Sequence, residues 1–120
     1  MSGSDQLETN KATIRRWRER IWNEGDFTAT PELITSDFVC HRPRPMDEIH
    51  GRQAHDHWVA GVRSQNPEFN VELFDLIAEG NKVASSWWGT GPGMHFYRME
   101  DGKIAEMWTV VAPANDSRER

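Results

Sequence analysis

The chain has 120 residues, which is enough for one domain and too short for two domains with cores of ordinary size. Its formal net charge of −5 argues against nucleic-acid binding, because such proteins need a basic face to replace counterions. The single cysteine, Cys40, excludes an intrachain disulfide, and no apolar run is long enough to span a membrane. We therefore expect a cytoplasmic protein without a nucleic-acid or membrane partner.

The N-terminal part of the chain is predicted to form a long helix. Over Thr9–Asn23, the residues Ile14, Trp17 and Ile21 recur at helical spacing and make one apolar stripe, with Trp22 at its edge. A threonine and an asparagine stand at the predicted start, where either is a good helix cap, and a glycine follows the predicted end.

Shorter elements separate this helix from another long one. The pattern predicts a short helix over Glu32–Ile34 and a strand over Phe38–His41, which the prolines that follow bring to an end. A third helix is predicted over Gly51–Asn66. Its apolar stripe is Ala54, Trp58 and Val62, with His55 and Val59 beside it.

The second half of the chain has the alternation and the turns that are typical of strands. We predict strands over Asn70–Ala78, Lys82–Trp88, Met94–Met99 and Lys103–Ala112, and in the first of these the apolar alternation runs through Val71, Leu73 and Ile77. Helices followed by an antiparallel meander indicate an α+β fold. We expect one domain over residues 9–113, with flexible tails at 1–8 and 114–120.

Several strings of the sequence resemble the SnoaL-like polyketide cyclase family of the nuclear transport factor 2-like superfamily. They are Ile21–Asp26, Ser36–Val39 with His41, Asn66–Pro67, Asp75–Gly80 and Tyr97–Trp108, of which the last is the most specific. The resemblance covers Lys11–Trp108 and implies a cone-shaped fold in which a bent antiparallel sheet wraps around the long first helix. This fold hosts cyclases, isomerases, hydrolases and non-catalytic binding domains, so it leaves the function open.

The resemblance also implies an apolar cavity between the first helix, the third helix and one face of the meander. We expect this cavity to bind a small apolar ligand without a cofactor, and we expect two chains to pair through the sheet as a homodimer. Strand alternation places His95 on the same face as Tyr97 and Met99, and the resemblance makes the face of Met107, Thr109 and Val111 the cavity side. The expected ligand-binding residues are Trp17, Ile21, His55, Trp58, Tyr97, Met107 and Thr109.

His95 and His41 are the two candidate catalytic residues. Each stands at a position where the family often has a histidine, and an imidazole exchanges a proton near neutral pH. Cys40 points to the opposite face of its strand from His41, which disfavours a cysteine–histidine nucleophile pair. Each histidine also has a structural interpretation: His95 as a hydrogen-bonded residue of the sheet, and His41 as the anchor of the turn at Arg42.

The sequence departs from the family pattern in three places. Thr109 stands where the cyclases carry an acid/base aspartate, and a hydroxyl does not replace a carboxylate in proton transfer. Arg42 stands where the isomerase branch has its catalytic acid, and an arginine stays protonated. The connection Gly89–Gly93 is shorter than usual in the family, so we expect a shorter sheet there and a cavity mouth that is either smaller or more open.

A metal site is not expected, although His55 and His57 stand close together in the third helix. Helical metal ligands need a spacing of three or four residues, and no cysteine cluster supports His50 in the preceding loop. We expect His55 to touch the cavity, and Asp56 and His57 to be solvated.

Two functions remain open at this stage. One is an enzyme that cyclises or isomerises an apolar, aromatic or polyketide-like ligand by acid/base chemistry. The other is a non-catalytic ligand-binding or dimerisation domain that has lost the cyclase acid. A third function, binding of another protein through the sheet, would be indicated by a large apolar patch around Trp87 or Trp88.

Overall fold

The computed structural model describes residues 3–111, apart from the side chain of Val111. The long first helix, α1 (Gly3–Arg16), continues as a π-helical segment over Trp17–Asn23, and a 3-10 turn over Phe27–Ala29 follows. The remaining elements are α2 (Thr30–Leu33), β1 (Ile34–His41), β2 (Ile49–His50), α3 (Gly51–Gln65), β3 (Glu72–Glu79), β4 (Lys82–Trp88), β5 (Pro92–Glu100) and β6 (Lys103–Val111). The predicted order of helices and strands is confirmed, with the short β2 added before α3.

All the described strands belong to one sheet with the order β2-β1-β6-β5-β4-β3. The strands β3 to β6 form the predicted antiparallel meander. However, β1 runs parallel to β6, so the sheet is mixed and the prediction of antiparallel pairing throughout is wrong. Tight turns fix the direction of strands that follow one another, whereas the long connection from β1 to β6 allows either direction.

The core lies between α1 and the concave face of the sheet. Trp17 and Ile21 are 2% and 0% exposed, which confirms their predicted burial. They belong to one cluster with Phe38 of β1, Val59 of α3 and Met107 of β6. A long helix that packs its apolar face on a mostly antiparallel sheet is the predicted α+β architecture.

The first helix begins at Gly3 and not at Thr9. Asn10, a predicted cap, is buried inside the helix, where its Oδ1 accepts a hydrogen bond from Nε2 of Gln6 at 3.0 Å. Residues 3–8 of the predicted N-terminal tail are therefore helical, whereas the predicted tail at 114–120 lies outside the described residues. Thr13 ties this helix to the sheet, because its hydroxyl donates to the carbonyl of Gly102 at 2.6 Å.

The end of the first helix is wider than an α-helix. Over Trp17–Asn23 the chain forms a π-helix, in which residues five apart come to lie on one side. Trp17 and Trp22 therefore meet edge to face, with ring centroids 6.0 Å apart. Trp22 is buried, although an α-helical pattern placed it at the edge of the stripe.

Two apolar patterns differ from the prediction. In α3 the buried residues are His55 and Val59, while Ala54 is exposed, so the stripe is rotated by one position. In β3 a bulge lies between Leu73 and Asp75 and exchanges the two faces beyond it, which leaves Ile77 68% exposed. A bulge depends on the partner strand, so alternation within one strand does not reveal it.

Candidate ligand-binding site

A cavity of about 270 Å³ lies between the first helix, α3 and the concave face of the sheet. Most of its wall is apolar and aromatic. It is lined by Ile14, Trp17, Arg18, Trp22, Arg42, Pro43, Met46, Trp58, Val62, Phe69, Val71, Leu73, Trp87, Thr90, His95, Tyr97 and Thr109. This set includes four of the predicted ligand-binding residues and one of the two predicted catalytic histidines.

Aromatic rings hold the cavity wall in place. The ring of Trp17 lies 5.9 Å from that of Tyr97 and 5.8 Å from that of His95. Trp22 continues the wall, since its ring lies 5.1 Å from that of Trp58. Edge-to-face and tilted pairs at these distances are favourable and restrict ring motion, so the wall is formed before any ligand enters.

His95 lies on the concave face of β5 with its ring against the cavity. Its Nδ1 is 3.1 Å from the hydroxyl of Tyr97, and that hydroxyl is 2.8 Å from Oγ of Ser85. The ring of Trp87 packs on the imidazole at a centroid distance of 4.9 Å. Nε2 of His95 has no hydrogen-bond partner within the described residues, which leaves one ring nitrogen for a ligand.

The surroundings of His95 keep its imidazole neutral. Burial among aromatic rings lowers the pKa of His95 to about 3, because the charged form loses its hydration. The expectation that His95 exchanges a proton near neutral pH therefore does not hold for the ligand-free cavity. Burial also raises the pKa of the Tyr97 phenol, so both groups act at neutral pH as uncharged hydrogen-bonding groups.

Thr109 lies directly across from His95 in the pairing of β5 with β6. Its hydroxyl is buried beside the Cys40 thiol. Burial raises the pKa of this thiol to about 12, and the nearby hydroxyl has a smaller effect in the opposite direction. The two groups do not form a hydrogen bond of normal geometry. No aspartate or glutamate lines the cavity among the described residues, so the place of the missing cyclase aspartate is not taken by another carboxylate.

Three predicted ligand-binding residues do not line the cavity. Ile21 and Met107 are fully buried in the core behind the wall. His55 is also fully buried, and both of its ring nitrogens are occupied: Nε2 accepts from the Trp17 indole at 3.1 Å, and Nδ1 donates to Asp56 at 2.8 Å. Asp56 also accepts from the hydroxyl of Thr30 at 2.7 Å, so it is more than a solvated carboxylate. His55 thus orients Trp17, and burial lowers its pKa.

His41 lies on the opposite face of the sheet from the cavity. Its Nδ1 is 2.5 Å from Glu48 and its Nε2 is 2.6 Å from Glu106, and its ring stacks on Trp108 at a centroid distance of 5.2 Å. The hydrogen bond with Glu106, supported by Glu48, raises the pKa of His41. The structure therefore does not bring the two candidate catalytic histidines together.

Several cavity residues were missed by the sequence reasoning. Trp22 and Phe69 reach the wall because of the π-helical segment and the loop before β3, neither of which has a clear sequence signal. Trp87 faces the cavity because a glycine, Gly93, pairs with it across β4 and β5 and leaves room for the indole ring. Arg18, which follows Trp17 in the first helix, also lines the cavity.

Residues 3–111 contain neither a metal-binding cluster nor a helix suited to a membrane. No group of three or more histidine, cysteine, aspartate or glutamate side chains there has a geometry that would hold a metal ion. None of the described helices combines the length and the apolar composition that a membrane crossing requires.

Comparison with known proteins agrees with this architecture. The family model of the SnoaL-like domain matches residues 14–107, and the chain belongs to this family. Among curated proteins, no sequence matches the chain.

Solved structures show the same fold at low sequence identity. A protein from Jannaschia sp. CCS1, described as a "putative SnoaL-like polyketide cyclase", superposes with a TM-score of 0.80 at 18% identity, covering 92% of this chain and 90% of its own. IdmH from Streptomyces antibioticus, described as a "putative polyketide cyclase", superposes with a TM-score of 0.73 at 23% identity, covering 84% of this chain and 90% of its own. An NTF2-like protein of unknown function from Mesorhizobium loti superposes with a TM-score of 0.75 at 24% identity, covering 90% of this chain and 94% of its own. These likenesses establish the fold alone.

Proposed function

We propose that this SnoaL-like domain binds an apolar, aromatic or polyketide-like small molecule in the cavity below the sheet. The observation that carries the proposal is the cavity itself, whose volume of about 270 Å³ lies just below the usual range for small-molecule pockets. Its aromatic wall offers large flat surfaces for a planar ligand. The few polar groups, His95 and Thr109 among them, would fix the orientation of the ligand.

Catalysis of a cyclisation or an isomerisation is the second candidate function. It is supported by one observation, the contact of His95 with both the cavity and the Tyr97 hydroxyl. A neutral imidazole with a free Nε2 can accept a proton from a carbon acid if the ligand stabilises the imidazolium that forms. Against it stands the low pKa of His95, which makes the imidazole a weak base. We therefore favour binding without turnover.

A matched pair of histidine variants tests the site. We expect His95→Ala to weaken the binding of planar aromatic ketones by about tenfold, or to abolish turnover if there is any, with the fold intact. His57→Ala, on the exposed face of α3, is the control and should change neither. Calorimetric titration of both variants measures the difference, and equal behaviour would remove His95 from the site.

Thr109→Asp separates a binder from an enzyme. The substitution puts a carboxylate opposite His95, which restores the acid that the cyclases carry there. If turnover of a cyclase-type substrate appears only in Thr109→Asp, the natural domain is a binder that has lost its acid. If the natural protein already turns over such a substrate and the variant does not, the binding-only proposal is wrong.

We also propose a homodimer that pairs through the outer face of the sheet. The support is an apolar row across the strands, in which Ile77, Ala84, Phe96 and Trp108 pair in succession. Phe96 and Ile77 are 44% and 68% exposed, and Trp88, Met94 and Val110 extend the exposed apolar surface. A continuous apolar area of this kind is unusual on a monomer. A second copy of the chain would cover it, whereas the third function considered above would require another protein there.

A further inference from the structure

We propose that the ligand of this cavity carries an anionic head group, and that its class is a planar aromatic carboxylate. The inference rests on the proposed binding function and adds the charge of the ligand to it. It follows from the distribution of charged groups and of unpaired hydrogen-bond donors around the cavity.

The charged side chains that line the cavity are arginines only. Arg18 and Arg42 are both half-buried in its wall, and no aspartate or glutamate is among the described residues that line the cavity. The other polar groups of the wall, on His95, Tyr97 and Thr109, carry no negative charge at neutral pH. A chain with a net charge of −5 thus contains a cavity whose own charge is positive.

Some of the other arginines of the chain are paired with carboxylates. Arg20 lies 2.6 Å from Asp26, and Arg98 donates from Nε to Glu106 at 3.0 Å. Arg18 has no ion pair within the described residues, and Arg42 donates only to the backbone carbonyl of Asp47, at 2.8 Å. The two cavity arginines thus retain guanidinium groups that a carboxylate of a ligand would pair with.

The unpaired buried donors lead to the same ligand class. Three donor-only nitrogens are buried without a hydrogen-bond partner in the described part of the chain: Nε of Arg18, Nε1 of Trp22 and Nε1 of Trp87. All three belong to residues that line the cavity. A donor-only nitrogen is satisfied only by an acceptor, and an unsatisfied buried donor costs free energy. The nitrogens themselves are covered by neighbouring atoms, so each reaches a ligand acceptor only after a small movement of its side chain. A ligand rich in acceptor oxygens and free of acidic protons fits this set.

A matched pair of small probes tests the inference. We expect 1-naphthoate to bind about tenfold more tightly than 1-naphthamide, which has the same rings and no charge, in calorimetric titrations at pH 7. If the amide binds as tightly as the carboxylate and His95→Ala weakens both, the charge assignment is wrong and the proposed binding function stands. If neither probe binds, both are wrong.

Arginine variants test whether the preference for the carboxylate over the amide comes from the cavity. In Arg18→Met/Arg42→Met the preference for the carboxylate should fall to within about twofold, while Arg18→Lys should keep most of it. Arg15→Met, on an exposed position of the same helix, is the control and should leave the ratio unchanged. Full preference in the double variant, with a native circular dichroism spectrum, would overturn the inference. If the double variant does not fold, Arg18→Met alone is the test. The ratio of the affinities for the carboxylate and the amide should then drop by about threefold or more. An unchanged ratio would overturn the inference.

Discussion

The two faces of the sheet shift the pKa values of their histidines in opposite directions. On the concave face, His95 lies among aromatic rings, and burial lowers its pKa to about 3. On the outer face, His41 lies between Glu106 and Glu48, and the hydrogen bond with Glu106 above all raises its pKa. The same residue type at two family positions is thus a neutral hydrogen-bonding group in one case and a readily protonated member of a charged cluster in the other.

The difference shows that a histidine at a family position does not define a catalytic site by itself. His95 borders the cavity but lacks a carboxylate that would stabilise its protonated form. His41 has two carboxylates but is on the face away from the cavity. A carboxylate beside the cavity histidine would favour its protonated form, but the structure places the carboxylates that contact a histidine of the sheet on the other face.

The largest expected effect is the loss of stability when a buried aromatic residue of the concave face is truncated. Tyr97 and Phe96 are neighbours on β5, with exposures of 1% and 44%. Truncation of Tyr97 to alanine leaves a large hole in the core, and we expect it to lower the free energy of unfolding by about 3–5 kcal/mol. Phe96→Ala should lower it by about 1 kcal/mol or less. Urea denaturation at two protein concentrations measures both and distinguishes the loss of a dimer contact. Equal losses for the two variants would contradict the assignment of faces.

Gly93→Ala is expected to disturb the concave face next to His95. A methyl group at this position would overlap the ring of Trp87, which packs on the His95 imidazole. We expect a loss of about 1–3 kcal/mol in unfolding free energy and a change in tryptophan fluorescence. Gly91→Ala, in the same connection, meets no atom within 4 Å and is the matched control. A fully stable Gly93→Ala protein would show that the indole is free to move.

The pH dependence of stability should differ for the two histidines. The pKa of His95 is about 3 in the folded chain and near 6.5 in the unfolded chain, so the unfolded state binds the extra proton between these values. The contribution of His95 to the free energy of unfolding is complete above pH 6.5 and is lost as the pH falls. The free energy then changes by up to about 1.4 kcal/mol per pH unit. His95→Asn should reduce the slope between pH 6 and pH 4, whereas His57→Asn should not. A slope that is unchanged in His95→Asn would mean that His95 is hydrated.

The opposite sign is expected for His41. Its pKa is raised from 6.5, so its stabilising contribution is complete below that pH and is lost as the pH rises through the folded value. The pKa values of Glu48 and Glu106 are lowered from 4.5, and their contributions are lost as the pH falls. The cluster should therefore stabilise the fold most between about pH 4.5 and pH 6.5. In urea denaturation, His41→Asn should flatten the decline in stability above pH 6.5, and a decline as steep as in the natural protein would contradict the cluster.

The smallest effect on the fold is expected for a charge on the outer face. Ile77→Lys puts an ammonium group in the middle of the apolar row and should dissociate the proposed dimer while it leaves the unfolding free energy of the monomer nearly unchanged. Gln53→Lys, on an exposed position of α3, adds the same charge away from the sheet. Light scattering at micromolar concentration compares the two variants. A natural chain that is monomeric under these conditions would rule out the dimer.

The order of the elements and the inward face of β5 can be predicted from the sequence alone. Alternation over His95–Met99 placed His95, Tyr97 and Met99 together, and all three are buried. The pairing of His95 with Thr109 did not follow from the short turn after β5, because the register of β5 and β6 shifts between Arg98 and Met99. The order of the elements and the inward face of β5 depend on period and on local turns, which the sequence carries directly.

Which polar groups share the cavity depends on how the elements pack together. The parallel pairing of β1 with β6 places His41 on the outer face of the sheet. The rotated stripe of α3 buries His55 in the core, where both of its ring nitrogens form hydrogen bonds. The π-helical segment brings Trp22 to the wall, and Arg18 is left there without a carboxylate. Each of these outcomes depends on contacts between elements far apart in the chain, where a bulge or one extra residue per turn changes a side chain's neighbours. Since neighbours and burial set a group's pKa and hydrogen bonds, the chemistry of the site followed from packing and not from residue type.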